Sequence, residues 1–414
     1  MKIDYELLHR SMIERTNTYA SRIKTIYQGA FDRIIEIIKE CDLEDDKPFN
    51  FTDYGYSEDV TPVFRNMYSQ LYQEYRKDIT FEFNKANKDN DNLVKAIFGA
   101  RSIEDNHYAK FFHRNMEALD AFFTRKNNGM NLSQRVWMYV GLFKQELQDT
   151  IDLALGEGTE ANSLAARIKH LLNEPDRFYR RFRVKTGEDE NGNPIYGRIW
   201  KRRIYDRKTG LYQWVNEDPR KYHPGMGVYR SSARNAQRLA RTETNIAYRT
   251  ADYNRWQTFD FVVGCEIKVS NNHPYPDICD DLAGFYPKDF KWTGWHPNCR
   301  CYMVPVLAAE YEIQDMIGKL MDNKSSKLVD SDNEIKKMPQ CFTTWLDQNW
   351  ERYHTGSRIM SDISKRILSF FVHNLIKRYF CYSVVKHGNR ERDLISGIPF
   401  IIYVAQRMAK TFLS

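Results

Sequence analysis

Apolar residues in the first 176 positions recur at three- and four-residue spacing. Ile23, Ile26, Ala30, Ile34 and Ile38 are one such row, with charges between them. That is the period of an amphipathic helix, so residues 1–176 are predicted to form a helical N-terminal domain. Asn131-Leu-Ser-Gln before Val136, Met138, Tyr139 and Leu142 reads as a capped helix start. From 177 to 222 the period drops to two: Tyr179, Arg181, Arg183 and Lys185 alternate with Arg180, Phe182, Val184 and Thr186. Turn residues at Asn191–Pro194 and Arg207–Gly210 divide this stretch, which predicts a three-stranded meander.

Residues 223–308 read as a small α+β domain. Ala236, Leu239, Ala240, Ile246, Ala247 and Ala251 mark one face of a helix running from Ser231 to Trp256. Glu243 falls in the middle of that face, where an unpaired carboxylate is costly, so it requires a partner. A strand with a glycine bend, Phe261–Val269, follows, then a long loop and a last strand, Tyr302–Leu307. Residues 309–414 are predicted to be a helical tail, acidic at first, with a linker at 323–326 and a basic, apolar end from Lys365. The fold class is therefore α+β, predominantly helical. No run of about eighteen apolar residues occurs, so no membrane span is expected.

A chain of 414 residues with 42% hydrophobic positions can fill two or three cores. The net charge of +7 is unevenly placed: 177–211 carries 11 Lys and Arg against 4 acids, 365–414 carries 9 against 2, and the rest is net negative. In the meander, Arg180, Arg181, Arg183, Lys185, Arg198, Lys201, Arg202 and Arg203 interleave with Phe182, Tyr196, Trp200 and Tyr205. Cations with stacking rings suit packaged DNA or another polyanion; a solvated ribbon with blunted edges is the alternative. Seven cysteines, an odd and sparse set, exclude a disulfide scaffold, and the charged N-terminus lacks a signal-peptide core, so a cytoplasmic origin is expected. Cys41, Cys265, Cys341 and Cys381, among apolar neighbours, are expected to be buried free thiols.

Cys279, His296, Cys299 and Cys301 bring three thiols and an imidazole within 23 residues. These are the ligands zinc prefers, and four of them close a structural site, with His273 and Asp277 as substitutes for one. Other readings stay open. Cys299 and Cys301 could point to opposite faces of an extended segment as small hydrophobes, with His296-Pro297 a turn anchor. A disulfide, or a thiol hydrolase using Cys279 or Cys299 with His296, would use the same residues, although no orienting third group is evident for the latter.

The helix motif Arg241-Thr242-Glu243, the loop Asp277, Cys279, Asp280 and the terminal His296-Pro297-Asn298-Cys299-Arg300-Cys301 resemble, in order and spacing, the phage Mu F-like head morphogenesis family over about residues 225–308. The resemblance implies a minor capsid protein of a tailed phage or prophage, present in few copies inside the virion. It implies portal and head proteins as partners, assembly in the host cytoplasm, and no established catalysis. Met338 to Arg352 is also similar to the tail of prophage relatives. Glu243 is expected to pair with Arg300, or locally with Arg238 or Arg241. The alternative function is a phage-delivered effector whose residues 309–414 form a nuclease-like toxin, with His373, Lys386, His387, Arg390 and Arg392 facing RNA.

Overall fold

Long stretches of three- and four-residue apolar spacing become long helices. The computed structural model describes residues 3–39, 49–52, 55–127, 129–155, 179–188, 194–206, 211–216, 231–271, 277–328 and 330–355. Helix α1 (Tyr5–Lys39) and helix α2 (Ser57–Phe98) are followed by two short 3₁₀ turns, Ala100–Ile103 and Asn106–Phe112, then α3 (Glu117–Thr124) and α4 (Leu132–Leu155). The predicted start at Asn131 is a capping box: Gln134 N–H donates to Asn131 Oδ1, and Asn131 N–H to Gln134 Oε1, each at 2.9 Å.

The helix read from Ser231 is α5 (Ser232–Thr258), and its N-terminus is held twice. Ser231 Oγ accepts from Arg234 N–H, and the Glu146 carboxylate of α4 accepts from both Ser232 N–H and Ser232 Oγ at 2.7 Å. Its Ala236, Leu239, Ala240, Ala247 and Ala251 join Ile23, Ile34, Leu71, Tyr75, Ile79 and Leu147 in one core. So α5 packs as a member of the N-terminal helical layer. Four alanines on this face keep it narrow, which suits close packing between helices. Burial of each Ile or Leu in this core is worth about 1.5–3 kcal/mol.

Where α5 crosses the end of α2 the contact is polar. Tyr248 Oη donates to Asp89 Oδ2 (2.8 Å), Asn90 Nδ2 to Asp252 Oδ1 (2.7 Å), Trp256 Nε1 to Asn90 Oδ1 (2.7 Å) and Arg255 Nη2 to Asp91 Oδ1 (2.8 Å). Burial pushes the Asp252 carboxyl up to about 8, so it is protonated at neutral pH. A folded-state pKa above the unfolded value means the native protein holds the extra proton. The stability present below about pH 4 is therefore lost progressively as pH rises toward 8. Asp252→Asn keeps an acceptor for Asn90 and cannot ionise. The melting temperature of the variant relative to the natural protein should accordingly climb between pH 5 and 8 and level off above, as thermal melts across that range will show.

The meander is present as antiparallel β1 (Tyr179–Glu188), β2 (Pro194–Asp206) and β3 (Leu211–Asn216), in sequence order. Its register sets Arg181 opposite Trp200, Arg183 opposite Arg198 and Arg202 opposite Val215. The side chains proposed for polyanion contact there lie outside the described part, as do Cys41, Cys381, His273 and the tail residues His373, Lys386, His387, Arg390 and Arg392.

After α5 comes a second antiparallel sheet, order β5-β4-β6, built from β4 (Val262–Lys268), β5 (Gly284–Pro287) and β6 (Tyr302–Leu307). The predicted glycine bend is a register shift between Val262 and Gly264. A one-turn helix, α6 (Ile278–Asp281), and strand β5 lie inside what the sequence reads as loop. Helix α7 (Glu310–Met321) matches the predicted acidic helix, and α8 (Gln340–Thr355) follows. Between them Ser326, in the predicted linker, is buried and donates to Asp260 Oδ2 at 2.6 Å. Ile335 crosses Gly264, where a Cβ would lie 2.6 Å from its side chain, and its N–H donates to Val263 O. Phe342 then packs on Tyr286, Phe290 and Trp295. Among the described residues no helix is long and apolar enough to cross a membrane.

Candidate metal site

The Asp-x-Cys-Asp segment folds as a capping box. Asp277 Oδ1 accepts from Cys279 N–H and Asp280 Oδ2 from Asp277 N–H, each at 2.7 Å, and this one-turn helix aims Cys279 inward. His296 to Cys299 is a β-turn closed by Cys299 N–H to His296 O at 3.2 Å. With Pro297 at its second position and Asn298 at φ +61°, the turn is type II. Its Asn298 N–H donates to Thr242 Oγ1 at 3.0 Å, so the threonine of the α5 motif holds the turn. A β-branched residue is strained at positive φ, so Asn298→Val should cost about 1–3 kcal/mol while Asn298→Gly stays near neutral. Urea midpoints of the two variants compare them directly.

The turn and the capping box bring the ligand candidates together. Cys279 Sγ lies 3.1 Å from His296 Nε2 and 3.7 Å from Cys299 Sγ, and the three ligand atoms are mutually within 4.8 Å. Cys301 is fully buried and close enough to Cys279 and Cys299 that the three thiols shift one another, although its sulfur stands outside that tight trio. The Ser270 backbone N–H donates to the Cys301 thiol. Hydrogen bonding to Cys299 and Cys301 raises the Cys279 thiol. Burial pushes the Cys299 thiol up, but hydrogen bonds from Cys279 and Cys301, with Arg249 and His296 nearby, outweigh it and hold Cys299 well below the usual thiol range. Cys299 and Cys301 thus both face inward, correcting the opposite-faces reading. Residues 299–301 leave a turn and are not yet strand, so side-chain alternation does not apply. Cys265, Cys279, Cys299 and Cys301 are free and buried; Cys341 is free but exposed, against expectation.

The two nitrogens of the His296 imidazole have different neighbours. His296 Nδ1 lies 2.9 Å from Pro297 O, which assigns the proton to Nδ1. Nε2 faces Cys279 Sγ at 3.1 Å and Asp277 Oδ2 at 3.2 Å. In a charge relay the carboxylate holds the nitrogen remote from the nucleophile; here both crowd the same nitrogen. An imidazole nitrogen, a carboxylate and thiols converging on one point can surround a cation. The group Cys279, His296 and Cys299 can hold a metal ion.

Glu243 does not meet Arg300, nor Arg238 or Arg241. Its carboxylate is held by Arg125 Nη2 and, at 2.7 Å, by Arg135 Nη1. Burial pushes the Glu243 carboxyl up, but the two guanidiniums outweigh it and keep it ionised below the usual carboxylate range. The link between α5 and the Cys/His-bearing segment 277–301, here called the hook, is carried instead by Thr242, by Asn245 Nδ2 on Cys299 O (3.3 Å) and by Arg249, residues whose role the sequence reading missed apart from Thr242. Arg241 and Arg300 are half-buried. No family model, curated protein or solved structure matches the chain.

Proposed function

We propose that the chain is a minor head protein of a tailed phage or prophage, of the Mu F-like kind, which binds the portal vertex and acts by docking to partners. The observation that supports this best is the meeting of the two halves of the motif. Thr242 and the Asn298 turn, 56 residues apart, are joined by a hydrogen bond, and Asn245 reaches the next residue, Cys299. A helix and loop tied in this way make a rigid docking unit. In this reading the hook holds a structural zinc through Cys279, His296, Cys299 and Cys301, which staples a loop-rich region too small to fix itself by burial. Packaged DNA is a further partner, through the basic meander. Mass spectrometry of gradient-purified particles from an induced lysogen tests the reading. The protein is expected in DNA-filled heads together with the portal. Its presence only in the soluble host fraction would refute the proposal.

A further inference from the structure

The guanidinium of Arg249 is buried, 3% exposed, in the wall of the hook. It donates to three carbonyl oxygens, those of Thr293 (2.8 Å), Cys299 (2.9 Å) and Cys301 (2.6 Å), and its carbon lies 4.3 Å from the centre of the Trp292 ring. Among the described residues no carboxylate stands within ion-pair distance of it. Asp252, one turn further along α5, is engaged by Asn90 and protonated by burial, so it supplies no counter-charge. No such carboxylate neutralises this buried cation, and leaving it so is expensive; the acidic groups beside it are the thiols of the hook. The chain also shapes itself to this group: a Cβ on Gly294, whose φ is +115°, would lie 2.6 Å from Arg249 Nη1. Only glycine lets the loop pass there.

The counter-charge comes from these thiols, and is fixed in place if the hook is loaded. Three thiolates and one imidazole on a divalent ion carry a net charge of −1, and Arg249 holds the main-chain carbonyls of two of the four ligand residues. We infer that Arg249 is the outer-shell partner of the metal centre. It neutralises a three-thiolate, one-histidine site for a soft divalent ion and ties the loaded hook to α5. This rests on the zinc reading above. Arg249 touches no metal-binding atom and is a positioning residue.

The test uses the purified full-length chain, with cobalt(II) as a spectroscopic probe and zinc affinity measured by competition with a chromophoric chelator. The natural protein should bind one cobalt, with thiolate charge-transfer bands and tetrahedral d–d absorption. Arg249→Met should weaken zinc binding about 10–100-fold, Arg249→Lys less. Gln257→Met removes a bond from α5 to the loop at Lys288 O, away from the Cys/His cluster, and should change affinity by less than about threefold. If Arg249→Met proves insoluble, Arg249→Lys against Gln257→Met decides. Equal affinities in the Arg249 and Gln257 variants would overturn the role of Arg249 and leave the metal reading standing. A natural protein that binds neither ion would overturn both.

Discussion

Glu243→Gln lowers the unfolding free energy by about 3–5 kcal/mol, because it strands two guanidiniums, one of them on the nearly buried Arg135, against a neutral amide. The side chain keeps its volume, so packing of the alanine face of α5 is little changed and the loss reports charge. Double-mutant cycles measured by urea unfolding separate the partners. Glu243 with Arg135→Met, and Glu243 with Arg125→Met, should each show coupling above about 1 kcal/mol. Glu243 with Arg300→Met should show none. The effect is large because the carboxylate joins three helices: Arg125 follows α3, Arg135 is in the first turn of α4, and Glu243 lies near the middle of α5. Replacing all three charges by apolar side chains together should recover most of the loss.

The second large effect concerns the metal proposed for the hook. Cys299→Ser deletes one candidate ligand of the cluster, and chelation of the natural protein should reproduce its effect. With zinc at about a thousand times its dissociation constant, loading stabilises the native state by about 4 kcal/mol, and that part disappears. The loss should be confined to the hook and to α5. Hydrogen exchange should quicken at residues 277–303 and at the α5 positions facing them, while the α1–α2 core centred on Ile34 and Leu71 stays protected. Protons compete with the metal for thiolate and imidazole, so affinity should fall as pH is lowered.

Much of this fold is readable from periodicity. The long helices, the meander with its two turns, the start of α4 at Asn131 and the bend at Gly264 follow from local pattern and turn chemistry. What is not readable depends on distance along the chain. The partners of Glu243 lie 108 and 118 residues upstream, and a search near the motif offers only Arg238, Arg241 and Arg300. Arg249 reads as a solvated helix arginine; nothing local says that three carbonyls of a later loop close over it. The run from Asn87 to Asp91 reads as a polar surface, yet Asn87, Asp89, Asn90 and Asp91 are buried and Lys88 alone of the five is exposed. A signal existed there, since Asn87 and Asn90 continue the row Phe83 to Val94 at three- and four-residue steps, and polar residues on a core row demand partners. The candidate ligands of the hook were legible by type. Their convergence was not, because it needs the Asp277 capping box and the positive φ of Asn298.

Thr242, Asn245 and Arg249 hold the hook to the helix, but the hook's own geometry turns on what sits among its sulfurs and His296 Nε2. Elemental analysis of the full-length chain, purified without chelators, addresses this most directly. One zinc per chain, lost in Cys299→Ser together with the docked hook, is the predicted result. A metal-free protein with the same hydrogen-exchange protection across residues 277–303 would contradict it.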